Sequence, residues 1–365
     1  MSTNAVNPEF SARARDILSK KIEEGRISAA GLFERINTEA PRDALVKGSA
    51  MTFFPGEAAI AIGYGGQTRG IHRHALSQLA QRAGIPGQYL AGLVAGEGWQ
   101  TELATTVLDR HYNVGEGSTR FLAREVKGEV RGVLSDKYRR LDSRPLVEAF
   151  AAECQKIGAV PVDGTVTDTR VALKAIIPTL YEPVPGEVLA FGVEWGNSDY
   201  GAAMNALRMF VFRLWCTNGA TMENAMAQVH LGARLSDDVE LSQRTYALDT
   251  RTSISAMRDV VSGLLAPAKI EQLCEGIRVA DEKKVEWKNI SSKLAKRLLK
   301  GELDEARRAF ESDDVINLPA GKSVWRASNA LSWIAGRTDD ADRRLELQRI
   351  AGEVINGKSD AEVSA

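Results

Sequence analysis

Arg120-Phe121-Leu122-Ala123-Arg124-Glu125-Val126-Lys127-Gly128-Glu129-Val130-Arg131-Gly132-Val133-Leu134 is the stretch that decides the fold class. Two short runs rich in Val, Leu and Phe flank Lys127-Gly128-Glu129, and a tight turn between such runs makes a β-hairpin. Ser135-Asp136-Lys137-Tyr138 then leaves the sheet. Asp142 or Ser143 can cap a helix that has Pro145 in its first turn and Leu146, Val147 and Phe150 on its apolar face. Residues 171–179 and 187–193 read as two more strands, joined by a loop containing Pro183, Pro185 and Gly186. A helix is expected over 202–216, with Met204, Leu207, Val211 and Leu214 on one stripe and Asn218-Gly219 as its left-handed C-cap. Hairpin, helix, hairpin, helix is an α+β order, so the expectation is one antiparallel sheet of two hairpins covered by helices.

Outward from this core, residues 1–115 read as a helical N-terminal region with a polar arm. Ile71, Ala75, Leu76, Leu79, Ala80 and Ala83 fall on a helical spacing closed by Gly84 and Pro86. Gly63-Tyr64-Gly65-Gly66 is a glycine-rich turn without the Lys-Ser/Thr ending of a phosphate-binding loop, and reads as a plain loop. Residues 116–235 form the α+β core. Residues 236–365 read as a helical C-terminal region, with segments at 239–265, 268–299 and 320–355.

Composition narrows the class without naming an activity. With 44% hydrophobic and 26% charged residues, collagen-like, disulfide-scaffold and wholly disordered chains are excluded. Cys154, Cys216 and Cys274 lie far apart with no close pair, which fits reduced thiols and a cytosolic location. The most apolar run, 204–216, carries Arg208 and Arg213 and is too short to span a bilayer, so no membrane partner is expected.

Candidate catalytic groups are sparse. His72 and His74 sit two apart on a predicted helix and point to nearly opposite sides. No metal site, cofactor or catalytic residue is therefore expected, and an enzyme with an unrecognised site stays open. Cys216 beside Arg213 lies in an apolar run that suits a buried thiol. Glu194 with Asp199, and Asp136 with Asp142, fit turn and capping carboxylates as well as they fit magnesium ligands.

Local basicity is the stronger signal. Between residues 118 and 144, Arg120, Arg124, Lys127, Arg131, Lys137, Arg139, Arg140 and Arg144 face Glu125, Glu129, Asp136 and Asp142, a surplus of four positive charges. Arginines on a sheet with Tyr138 among them suit backbone contact and base stacking in single-stranded nucleic acid, and they equally suit a charged edge that resists aggregation. The candidate nucleic-acid residues here are Arg124, Arg131, Lys137, Tyr138, Arg139 and Arg140. A second candidate patch, Lys293, Lys296, Arg297 and Lys300, follows i, i+3, i+4, i+7 spacing on one helix face. Trp195, Trp215, Trp325 and Trp333 read as core or interface anchors.

Five short motifs carry a family resemblance: Ala75-Leu76-Ser77-Gln78-Leu79 with Gly84-Ile85-Pro86; Val130-Arg131-Gly132-Val133-Leu134-Ser135-Asp136-Lys137-Tyr138; Asn197-Ser198 with Gly201; Cys216-Thr217-Asn218-Gly219; and Ser328-Asn329-Ala330-Leu331-Ser332. In order and spacing the chain resembles the phage- and plasmid-borne family catalogued as domain of unknown function nine-three-two, from about residue 50 onward. Asp199-Tyr200 stands where an acidic and an aliphatic residue are expected before the glycine. The resemblance implies a mobile-element protein in the cytoplasm of a bacterial host and supplies no catalytic residues. In outline alone, the order of elements is similar to the single-strand annealing proteins of recombination. The functional expectation is a non-catalytic, homo-oligomeric single-stranded DNA-binding protein of replication or recombination. The alternative is a factor that binds a host or phage protein.

Overall fold

In the computed structural model, residues 6–56, 59–215, 219–228, 242–313, 315 and 318–356 are described. The chain opens with α1 (Pro8–Thr38), then β1 (Arg42–Lys47), β2 (Thr52–Pro55), β3 (Ile60–Tyr64) and β4 (Gln67–Ile71). Three helices follow, α2 (Arg73–Arg82), α3 (Gly87–Val94) and α4 (Gly98–Asp109), and then the quoted hairpin, β5 (Arg120–Val126) and β6 (Glu129–Ser135). These six strands make sheet A, ordered β1-β5-β6-β4-β3-β2 and antiparallel except for the β4–β6 pair. Lys127 and Gly128, at φ 50° and 82°, form the two-residue turn with both central φ angles positive that matches strand twist. The register shifts between Arg124 and Glu125, so Arg131 is the extra residue of a bulge.

Helix α5 (Ser143–Lys156) leads into β7 (Val160–Val166), β8 (Val171–Ile176), β9 (Tyr181–Val184), β10 (Glu187–Asn197), β11 (Asn205–Arg213) and β12 (Gly219–Gln228). They form sheet B, ordered β12-β11-β10-β8-β7, with β9 also on β10. Among the described residues beyond β12 the elements are helices: α6 (Gln243–Leu264), α7 (Pro267–Glu282), α8 (Trp287–Leu294), α9 (Lys300–Glu311), α10 (Val324–Ala335) and α11 (Ala341–Asn356). The fold is α+β with helical ends. Among the described residues no helix is long and apolar enough to cross a membrane.

Three expectations are corrected. The two hairpins do not share a sheet: 120–135 belongs to sheet A, while 171–176 and 187–197 belong to sheet B. Among the described residues, 202–215 hold no helix; Asn205–Arg213 is a strand buried on both faces, so its apolar residues show no alternation that would have marked it. Gly219 therefore opens a strand and caps nothing, while Cys216 and Asn218 lie outside the described residues. The N-terminal region also contains four strands, and Gly65-Gly66, with φ of 58° and 73°, is the turn of the β3–β4 hairpin.

Each sheet has its own cover. Leu79, Leu90, Leu93 and Leu108 of α2–α4 pack on Phe53, Ile62, Phe121 and Val133 of sheet A. Phe150 of α5, Met257 and Val261 of α6, and Ile270 and Ile277 of α7 pack on Phe191, Trp195, Leu207 and Val211 of sheet B. Ala14 and Leu18 of α1 close the opposite face against Val188, Phe210 and Phe212. Helix α1 crosses β7 at Gly25, where a β-carbon would stand 2.2 Å from Val162 Cα. A third core joins α8–α11 to Ala220 of β12.

Candidate functional site

Much of the positive charge of the hairpin and the loop after it is paired with acids of other elements. Arg124, 1% exposed, donates from Nε to Asp43 Oδ1 at 2.8 Å, from Nη2 to Asp142 Oδ1 at 2.7 Å and from Nη1 to the Asp199 carbonyl at 2.7 Å. Arg131 donates to Glu39 at 2.9 Å and Glu129 at 3.2 Å. Burial pushes the Glu39 carboxyl up, but bonds from Arg131, Lys127 and Arg35 outweigh it and hold the group at about 2. Tyr138 is buried at 6% exposure against Leu122 and Leu134, with its hydroxyl donating to the Ser198 carbonyl at 3.3 Å. A ring so placed offers no stacking face, which corrects its assignment to a base. Lys137 is half-buried, and Arg139 and Arg140 are engaged by Asp249 and Asp43 respectively.

The second patch is also redistributed. Helix α8 ends at Leu294 and α9 starts at Lys300, so Lys293, Lys296, Arg297 and Lys300 do not share one helix face. The three lysines are exposed, whereas Arg297 is paired with Glu353 of α11 at 2.5 Å.

Motifs far apart in sequence meet in a polar knot between the sheets. Gln78 of α2 accepts from Val133 N at 2.8 Å and donates to the Tyr200 carbonyl at 2.9 Å, which His74 Nε2 also reaches at 3.0 Å. Asn197 donates to the Leu141 carbonyl at 2.8 Å. Asp199 Oδ1 accepts from Ser143 N and Oγ, both at 2.7 Å, which satisfies the start of α5 in place of Asp142. Burial raises the Asp199 carboxyl to about 6, with Arg124 opposing and Asp142 adding to the rise. The residue keeps some accessible area, in line with its place on the wall of a cavity of about 30 Å³. The acidic pairs are thereby explained: Asp199 caps α5, Glu194 accepts from Thr221 at 2.8 Å, Asp136 pairs with Arg120 and Asp142 with Arg124.

The roomier site lies beside this knot. A cleft of about 370 Å³ opens between α11 and the ends of β8, β10 and β11, in the size range of small-molecule sites. Val171, Met204 and Leu345 give it an apolar wall; Arg170, Arg208 and Arg349 bring three guanidinium groups against Glu194 and Glu346. Both carboxylates are committed, Glu194 to Thr221, Lys174 and Arg208, and Glu346 to Arg343 at 2.7 Å. Arg170 Nε stands 3.8 Å from Asp342 and Arg349 Nε 3.6 Å from Glu353, and both Nε atoms are buried without a hydrogen-bond partner among the described residues. Burial lowers the Arg349 guanidinium from the usual arginine range; Glu353 opposes this, while Arg208 and Arg297 push it further down. Each of the three guanidinium groups has a carboxylate within 4 Å, and Glu346 also opposes the fall at Arg349.

No sequence motif announces this cleft. Arg208 was the one visible signal, a charge inside an apolar run, and it stands directly across from Glu194 in the β10–β11 register. Among the described residues, no group of three or more His, Cys, Asp or Glu is placed to hold a metal ion. Cys154 and Cys274 are buried, and burial raises their thiols to about 12 and about 11. The chain matches no family model, no curated protein and no solved structure.

Proposed function

We propose that the chain is a binding protein that takes a phosphate-bearing ligand of nucleotide size into the cleft under α11. The observation that carries this reading is the convergence of Arg170, Arg208 and Arg349 on one cleft, where the Nε atoms of Arg170 and Arg349 lie 3.8 and 3.6 Å from Asp342 and Glu353 without a hydrogen bond to them. A buried donor without a partner is costly, and an arginine fork fits phosphate oxygens better than it fits any single acceptor. Arg208 adds a third positive charge, and the wall of Val171, Met204 and Leu345 suits the apolar part of such a ligand. The reading assigns no chemical step.

Calorimetric titration with a nucleoside monophosphate, and with inorganic phosphate as the minimal probe, tests it. Saturable binding is expected, and Arg349→Met should weaken it by roughly tenfold or more, as for loss of a charge-assisted hydrogen bond. If neither probe binds at millimolar concentration, or if Arg349→Met binds equally well, the reading fails.

A further inference from the structure

Arg139 and Arg140, in the loop after β6, are both held by the start of α6. Asp249 receives the Arg139 guanidinium on both carboxylate oxygens, from Nε and Nη2. Three residues earlier, the Tyr246 ring lies 5.0 Å from the Arg140 guanidinium carbon. That spacing puts Tyr246 and Asp249 on one helix face. Arg140 also pairs with Asp43 of β1 at 3.1 Å.

Among the described residues, this end of the helix has no buried anchor. None of residues 244–252 is buried; burial begins at Ser253, and Met257 and Val261 are the first core anchors. The Arg139 and Asp249 side chains remain 29% and 27% exposed, so water and salt reach their bidentate pairing. A carboxylate gripped by an arginine fork and an aromatic ring laid on a guanidinium present the same chemistry as a phosphodiester and an unstacked base.

We propose that the first third of α6 is an internal stand-in for single-stranded nucleic acid, and that Arg139 and Arg140 form a latent strand-binding surface which Tyr246 and Asp249 occupy until a strand displaces them. The surface shares no residue with the cleft, so either site can fail without the other. It also gives the local positive surplus of the hairpin a use that the buried Arg124 and Tyr138 cannot provide.

Fluorescence anisotropy of a labelled oligothymidylate, with the full chain at two salt concentrations, tests the mask. Tyr246→Ala with Asp249→Asn should bind roughly tenfold more tightly than the unaltered protein, the scale of one exposed ion pair plus one cation–π contact. Tyr246→Phe keeps the ring and should bind like the unaltered protein. Asp249→Asn alone, the gentler change if the double variant melts early, should give a gain of roughly threefold. The gain should vanish when Arg139→Ala and Arg140→Ala are added. The same charge change at exposed Asp259, farther along α6, should produce no comparable gain. Unchanged affinity in the Asp249→Asn chains, a gain that survives loss of both arginines, or an equal gain from Asp259→Asn overturns the proposal.

Discussion

Asp199→Asn should make the protein more stable at neutral pH and change little in acid. The carboxylate accepts two hydrogen bonds from Ser143 and faces Arg124, yet burial still raises it from 3.8 to about 6. The folded state therefore holds the proton more tightly than the unfolded chain, and stability falls as pH rises from about 4 to about 6. The gap between those values corresponds to roughly 3 kcal/mol, fully felt above the folded value. Asparagine keeps an oxygen for the Ser143 amide and hydroxyl and carries no charge at any pH. The advantage of the variant should thus be near zero at about pH 4 and grow toward roughly 3 kcal/mol by about pH 7. Urea unfolding followed by tryptophan fluorescence, run on both chains across that range, measures it. His74, which burial lowers, has the opposite pH dependence, and Glu39 and Asp168 titrate lower; these contributions are common to both chains and cancel in the difference. A difference that does not vary with pH, or a variant that loses ground as pH rises, refutes the assignment of the shift to Asp199.

Gly25→Ala should lower stability by about 1–3 kcal/mol despite the better helix propensity of alanine, because the new methyl meets Val162 Cα at 2.2 Å on the backbone of β7; thermal melting checks the sign. Tyr138→Leu should cost about 1–3 kcal/mol in a denaturation midpoint, through the lost Ser198 bond and altered packing, and should leave the salt dependence of any oligothymidylate binding as it was.

Where local chemistry decided the outcome, the sequence was readable. Lys127-Gly128 turns the hairpin as its residue types require, α2 stops before Gly84 at φ 67°, and Pro145 sits in the first turn of α5. The reading failed where tertiary burial overrode periodicity. Met204, Leu207, Val211 and Leu214 fit a helical stripe, but Phe210-Val211-Phe212, an aromatic and β-branched run on an interior strand, outweighs it once helices cover both faces. The basic residues were found, while the positions of their partners were hidden: Asp43 and Asp249 lie 81 and 110 positions away from the arginines they engage. The cleft was not legible, since Arg170, Arg208 and Arg349 converge only through the packing of α11 on sheet B.

Lys174, 1% exposed on β8, has Asp163 and Glu194 near its ammonium group, and its amide partner Gln348 lies 174 positions later in α11. A chain made from its N-terminus can pair the strands of sheet B once β12 has emerged, before α11 exists. Until then the ammonium group and one wall of the cleft face water. The cleft therefore cannot be completed before α11 has been made, and a chain stalled short of α11 carries sheet B with that wall of the cleft missing.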